Sequence, residues 1–451
     1  MVLAACVLAS SMAFIDGSAL TVALPRLRAD LHADLASLQW VLNAYALALA
    51  SLTLIGGALS DVYGKARMLG FGCILFGFGS AACALAPSIG WLIAARAVQG
   101  LAAAILAPAS LALIGATFPR DERNRAIAIW AAASSLTTAG GPVLGGWLTE
   151  TFGWPSIFWI NPPLAIIAVG ILARFTPQDR REPRRFDLVG AAILTTALGA
   201  LAWALSQIGP AGPGVAAASP FSGGTIAVVV GAGAAGLAGY VLWERTSRHP
   251  MTPPRLAENR AFLGLNIATL LLYAGLSIAL FELPFDLIDR RGLSPTTAGI
   301  AFLPFTLGVG LLSRFFGGVA DRVGARAMLI AGPFGAAAAF VWMGLAHHAG
   351  LIIGVIGPMA LLGISFAVLV TPLTASVMSS VEPADEGLAS GINNTASRVA
   401  QLAGIALAAG LASFPSGFLI GAVIAAAVSV AGALVVAMTL QPGAMERAHE
   451  G

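Results

Sequence analysis

Hydrophobic positions in this chain neither alternate nor keep to one helical stripe; they run together in long blocks separated by short polar or Gly- and Pro-containing turns. An α-helix needs about 20 consecutive apolar residues to cross the hydrocarbon of a bilayer. Fourteen blocks of roughly that length can be drawn, at 2–25, 38–60, 68–87, 90–117, 126–148, 157–175, 187–208, 223–243, 261–284, 296–317, 327–346, 351–373, 388–413 and 416–440. The first has no basic flank before it and is longer than the apolar run of a signal peptide, so it is expected to span rather than to be cleaved. The pattern predicts an all-α polytopic membrane protein with 14 transmembrane helices.

Composition agrees. Hydrophobic residues make up 58% of the 451 and charged residues 10%, against about 25% charged in soluble domains. The 53 glycines fit membrane helices, where small residues permit close approach. A net charge of +3 does not point to nucleic acid, because the basic residues are scattered through short loops. Cys6, Cys73 and Cys83 fall inside apolar blocks and read as small buried hydrophobes, with no disulfide framework or metal site. No cofactor is expected.

A charged loop recurs. Residues 57–67 read G-A-L-S-D-V-Y-G-K-A-R, and residues 317–326 read G-G-V-A-D-R-V-G-A-R. Gly57, Asp61, Gly64, Lys65 and Arg67 in the first copy correspond in kind to Gly317, Asp321, Gly324 and the basic residues Arg322 and Arg326 in the second. The copies follow the second and tenth blocks, an offset of eight helices. Two six-helix bundles, 1–175 and 261–440, with a two-helix insert at 187–243, account for that offset. Internal repeats of this kind build many secondary transporters, with the substrate site between the halves. With both termini cytoplasmic, seventeen of the 24 Lys and Arg lie on the inner side, as the positive-inside rule requires.

Several short strings then occur in order on these spans. They are I-D-G-S-A-L-T-V-A-L-P at 15–25, Trp40 and Tyr45, the Asp61 loop, R-A-V-Q-G at 96–100, G-P-V-L-G-G at 141–146, F-W-I-N-P-P at 158–163, and the segment 387–401. In these the chain resembles the major facilitator superfamily, and within it the fourteen-span drug:proton antiporters of the EmrB/QacA and methylenomycin-resistance type. It departs from that pattern at Val62, Thr137, Glu282 and Asp286. The resemblance implies the major facilitator fold and export of small molecules driven by a proton gradient.

Ionisable groups inside spans are costly and mark candidate sites. Asp16 is expected to couple to protons or bind cations, since low dielectric disfavours the charged carboxylate; the alternative is a structural carboxylate bonded to Ser18, Thr21 or a neighbouring helix. Arg96 and Gln99 are implied by the resemblance to take part in proton transfer, against a purely structural pairing. Gly141, Pro142, Gly145 and Gly146 bend the fifth span and let it pack closely, and the resemblance makes this segment a gate. Arg398 and Gln401 either line the second bundle's cavity or bond between helices. Glu282 and Asp286 would share a face on a continuous helix; they either make the cavity attractive to cations or pair with Arg290 and Arg291 at a wet helix end. The loop charges around Asp61 and Asp321 are expected to form clusters at the inner face that stabilise one access state.

These expectations combine into a proton-coupled exporter of small amphipathic or lipophilic compounds. It would work as a monomer in the inner (plasma) membrane, with a small-molecule substrate and the lipid bilayer as its partners. A dedicated exporter or facilitator of one metabolite or antibiotic is the second reading. A membrane-embedded enzyme is disfavoured, since no metal-ligand cluster, nucleophile elbow or phosphate loop lies in or beside a span.

Overall fold

The computed structural model describes residues 1–176, 187–207, 223–247, 256, 258–382, 386–411 and 416–440. Among these there are sixteen α-helices and no strand. The first half runs α1 (Val2–Asp30), α2 (Leu35–Tyr63), α3 (Lys65–Ala84), α4 (Ile89–Thr117), α5 (Arg120–Phe152), α6 (Pro155–Trp159) and α7 (Asn161–Phe175). Next come α8 (Leu188–Gln207) and α9 (Gly223–Thr246). The second half has α10 (Arg260–Phe285), a π-helical turn (Asp286–Arg290), α11 (Pro295–Ile300), α12 (Leu303–Val323), α13 (Ala325–Leu345), a second π-helical turn (Ile352–Ile356), α14 (Gly357–Ser379), α15 (Glu386–Leu411) and α16 (Gly417–Thr439). Most of the basic stretch 176–186 that joins the first bundle to the insert, the Gly- and Pro-rich turn at 209–214 within the insert, most of the basic stretch 244–260 that leads to the second bundle, and most of the short turn at 413–417 lie outside the described residues.

Eleven helical stretches among the described residues are long and apolar enough to cross a membrane. At three further expected positions α2, α8 and α15 form helices of 29, 20 and 26 residues. Phe78, Ile166, Leu311 and Met438 are each more than two-thirds exposed on the isolated chain, apolar surface of a kind that lipid covers.

Local chemistry sets the helix ends. The Asp34 side chain accepts a hydrogen bond from the Ser37 N–H (2.8 Å) at the start of α2, and Ser88 does the same for Trp91 (3.4 Å) on α4, satisfying donors the helix leaves open. At the two repeated loops a single residue separates consecutive helices: Gly64 between α2 and α3, with φ 104°, and Gly324 between α12 and α13, with φ 90°. With ψ at 133° and 134°, both sit in a region that residues with a Cβ avoid. The sequence repeat is therefore a repeat of backbone conformation.

The chain divides into two compact units, Met1–Thr195 with Pro284–Ile300, and Thr196–Leu283 with Ala301–Gly451. In the first unit α2 packs along α4, α1 along α5, and α3 against α4 and α7. Its core is built from Met12, Leu69, Phe76, Leu106 and Ile114 among others. A polar thread ties three of these helices: Trp130 Nε1 donates to Ser10 Oγ (2.9 Å), which donates to Ser110 Oγ (3.1 Å). In the second unit α13 packs on α14 and α16, and α12 on α14. There Asn393 of α15 donates to Thr269 Oγ1 of α10 (2.7 Å). The unit boundary falls within α8, and α9 packs Gly233 and Gly236 against Leu201 and Ala197 of α8. Residues 284–300, which in chain order join α10 to α12, belong to the first unit.

Gly324→Ala tests the hinge. A Cβ there would meet nothing within 4 Å, so the loss reports backbone conformation alone. It is expected to be about 1–3 kcal/mol, read as a lowered thermal transition of the purified protein. Gly310→Ala, in helical conformation and equally open, should leave the transition unchanged or raise it slightly.

Candidate functional site

Asp16 sits in the middle of α1, facing α4. A fully buried carboxylate needs partners, and α4 supplies two of them one turn apart. Gln99 Nε2 donates to Asp16 Oδ1 (2.8 Å), and Arg96 Nη1 forms an ion pair with Asp16 Oδ2. Arg96 Nη1 also donates to Gln99 Oε1 (2.8 Å), closing a three-membered ring of side chains. All three are at most 1% exposed. The spacing R-x-x-Q is what an α-helix requires to present both groups on one face.

The site extends beyond the residues singled out from sequence. On α2, the Val41 carbonyl accepts from Arg96 Nε (3.2 Å), and the Tyr45 ring lies under the guanidinium at 4.1 Å. On α3, Cys83 Sγ donates to Gln99 Oε1 (3.5 Å). Phe158 of α6 lies 5.9 Å from the guanidinium. Gly100 makes the arrangement possible: a Cβ there would lie 2.5 Å from the Tyr45 carbonyl oxygen and 2.9 Å from Ala48 Cβ, so its absence lets α4 reach α2. Sequence reading noted Tyr45 only as part of a pattern, since its role depends on which helix it faces.

The G-P-V-L-G-G string faces two ways. A Cβ on Gly141 would strike Ser18, and one on Gly145 would strike the Ala19 backbone, with Ala19 Cα at 2.8 Å. This pair seats α5 on α1 two and three residues past Asp16. Gly146 instead faces the Pro295 backbone at the start of α11, and Gly299 of α11 reciprocally faces the Pro142 backbone, with carbonyl carbons 2.8 and 2.9 Å from the added Cβ atoms. Beside that seam Glu150 accepts from the Thr296 N–H (3.1 Å), and Arg28 pairs with Asp289 (3.7 Å).

Glu282 and Asp286 have different partners, with Pro284 between them and the π-helical turn beginning at Asp286. Asp286 is 4% exposed and held by Arg291 Nε at 2.7 Å and Arg290 at 3.8 Å. Glu282, 5% exposed, turns to α16, its Oε2 and Oε1 lying 2.8 and 3.0 Å from where Gly421 would carry a Cβ. The two carboxylates even belong to different units. Arg398 is half-buried and donates to Gln401 Oε1 of its own helix (3.2 Å). Neither Glu282 nor Arg398 belongs to the Asp16 cluster.

In the repeated loops the side chains of Asp61 and Asp321 lie outside the described residues. A Cβ on Gly57 would lie 3.6 Å from Pro108 Cβ. Lys65 is half-buried, and Arg67 and Arg322 are exposed. Arg326 donates to the carbonyls of Ala437 (3.0 Å) and Leu440 (2.8 Å), serving as a cationic cap for the end of α16. No group of His, Cys, Asp and Glu able to hold a metal occurs among the described residues.

A repeat of span-length apolar helices with a charged cluster buried inside one half is the architecture of many multi-pass membrane transporters. The family model of the Major Facilitator Superfamily matches residues 6–257 and 265–449, and the chain belongs to that superfamily. It is 34% identical over 400 residues to the multidrug resistance protein Stp of Mycobacterium tuberculosis (strain CDC 1551 / Oshkosh), covering 88% of this chain and 72% of that protein. It is 37% identical over 401 residues to the cephamycin export protein CmcT of Amycolatopsis lactamdurans, covering 87% and 80%. Among solved structures, the peptide transporter POT in complex with sulfate matches with TM-score 0.71 at 15% identity, over 97% of this chain and 93% of that one; at that identity the likeness is one of fold.

The α5–α11 seam can be tested directly. In a background lacking Cys6, Cys73 and Cys83, cysteines replacing Glu150 and Thr296 should cross-link efficiently. Gly146→Ala should cut that yield several-fold, because the new methyl meets Pro295 backbone and overpacking costs about 1–3 kcal/mol. Gly140→Ala, whose Cβ would meet nothing within 4 Å, should leave it intact.

Proposed function

We propose that this chain is a fourteen-span, proton-coupled antiporter that exports small amphipathic or lipophilic compounds, antibiotics among them, from the cytoplasm by alternating access. The observation that carries the reading is Asp16, a carboxylate with no exposed surface whose charge is balanced by Arg96 on another helix. Such a group can exchange a proton only when the surrounding helices open, which ties its protonation to conformation. Coupling then requires that proton and substrate be bound in mutually exclusive states, because a ligand shifts an equilibrium only by its differential affinity. The energy source is the proton gradient, each pH unit supplying about 1.4 kcal/mol per proton. The names of the relatives, a multidrug resistance protein and an antibiotic export protein, support export as the direction and drug-like molecules as the cargo.

The α5 segment Gly141–Gly146 acts as the gate, and the Asp61 and Asp321 loops favour one access state from the inner face. Both termini are cytoplasmic and the working unit is a monomer in the cell's inner membrane. A dedicated exporter of one antibiotic is the second reading, favoured by the 37% identity to a protein named for cephamycin export.

Reconstituted into proteoliposomes with an imposed pH gradient, the protein should drive several unrelated compounds from a panel; movement of a single compound selects the second reading. Asp16→Asn keeps shape and polarity without the titrating group, and should abolish gradient-driven export when equal amounts of folded, reconstituted protein are compared, with a lowered thermal transition because Arg96 loses its counter-charge. Export by that variant at the parental rate would remove Asp16 from the mechanism.

Orientation is checked by single cysteines on the same cysteine-free background. An impermeant thiol reagent outside intact cells should label a cysteine replacing Leu85, 67% exposed after α3, and miss one replacing Tyr63, 58% exposed at the end of α2. The reverse labelling would invert the topology.

A further inference from the structure

The two sides of α2 keep different company. With about 3.6 residues to a turn, Gln39 and Asn43 fall on nearly the opposite side of the helix from Tyr45 and Ala48. The Tyr45 and Ala48 side meets α4: the Tyr45 ring lies under the Arg96 guanidinium, and a Cβ on Gly100 would lie 2.9 Å from Ala48 Cβ. Gln39 and Asn43, in the second and third turns, point away from that contact.

Both are nonetheless buried, each 3% exposed. Among the described residues neither Gln39 Nε2 nor Asn43 Oδ1 has a hydrogen-bond partner. Ala46, which continues their face and is also buried, has no polar side-chain atom to offer them. Gln99 shows the ordinary case for a buried amide in the same half of the chain. It donates to Asp16 and accepts from Arg96 and Cys83.

A buried amide left open costs more than an apolar side chain of its size, because its lost hydration is not repaid. Native proteins keep few such groups, and each one calls for a partner. Here two stand four residues apart on one helical face, a spacing that sets their Cβ atoms about 5–6 Å from each other. Since the chain leaves both open, the partner must come from outside it.

We infer that Gln39 and Asn43 form a substrate subsite that reads an uncharged group carrying both a hydrogen-bond donor and an acceptor, as in an amide or lactam. The inference rests on the reading of the chain as an exporter of small molecules. Each carboxamide holds a donor and an acceptor, so the pair matches such a group whichever way either amide is turned. Neither side chain is charged, so the pair cannot repay the desolvation of an ionic ligand. A ligand that lacks the donor and acceptor would leave the buried amides open, which is how a polar site rejects an apolar isostere. The same stretch of α2 then meets the buried ion pair on one side and the substrate on the other.

Benzanilide and trans-stilbene test this, because they are close in size and shape and differ in having an amide or an alkene at the centre. Equilibrium binding of each, radiolabelled, is measured on the purified protein in lipid nanodiscs, with empty nanodiscs subtracted. The parental protein should prefer benzanilide. Gln39→Met and Asn43→Leu should each weaken benzanilide binding by about tenfold, the scale of one buried hydrogen bond, and leave stilbene binding unchanged. Without ligand, the thermal transition of either variant should stay the same or rise, since an open amide has been removed.

No preference for benzanilide, or equal loss of both compounds in the variants, overturns the subsite; equal loss is the result expected if the amides hold only water. A lowered transition or failure to fold in both variants means that the chain itself holds the amides, and it overturns the inference as well. Binding is read without a gradient. Selective binding without pH-driven export in proteoliposomes therefore counts against proton coupling and leaves the subsite standing, whereas pH-driven export without amide selectivity does the reverse.

Discussion

A guanidinium and a carboxylate buried in the middle of a helical bundle inside a membrane have few ways to be tolerated, and the first half of this protein is arranged around one of them. Asp16 and Arg96 are each at most 1% exposed and bind each other. Removing one partner from such a pair strands the other, typically at a cost of about 3–5 kcal/mol. That penalty fixes the rotation of α1 and α4 about their own axes, since a turn of either helix would separate the charges. The same constraint draws in α2, which brings the Val41 carbonyl and the Tyr45 ring to the guanidinium, and α3, which brings Cys83 to Gln99.

Charge alone could not bring the helices this near. The contacts are made where side chains are missing: Gly100 against α2, Gly141 and Gly145 against α1, and Gly79, where a Cβ would lie 3.2 Å from the Gln99 backbone. In lipid there is little hydrophobic force to press helices together, so close packing of small residues supplies the association. Chemistry and packing are then interlocked, because Gly141 and Gly145 rest on Ser18 and Ala19, just past Asp16. On its other side α5 grips α11 through Gly146 and Glu150.

The two halves show what repetition preserves. Gly64 and Gly324 share a backbone conformation as the single residues between helices, so the hinge is common to both. The charges are not. The first half pairs Asp16 with Arg96 across two helices, whereas in the second Asp286 pairs with its near neighbours Arg290 and Arg291, and Arg398 donates to Gln401 of its own helix.

Much of this was legible in the chain. Long apolar blocks dictate membrane helices because unpaired backbone groups cannot be left in hydrocarbon. The repeated loop announces two related halves, and R-x-x-Q places two polar groups on one helical face by geometry alone. An isolated Asp within an apolar block marks a site by its cost. What sequence could not supply is which helix each face meets. Glu282 and Asp286, four residues apart, read as one acidic feature, yet Glu282 abuts Gly421 of α16 while Asp286 is held by Arg290 and Arg291. Gly145 and Gly146 are neighbours in one string, yet one packs on α1 and the other on α11. Tyr45 reads as one member of a string on the second span until α4 is laid beside α2. Helix formation in lipid is local, set by hydropathy and backbone hydrogen bonding within a segment, so sequence determines it. Partner choice depends on contacts between residues tens to hundreds of positions apart, and only the tertiary structure decides it.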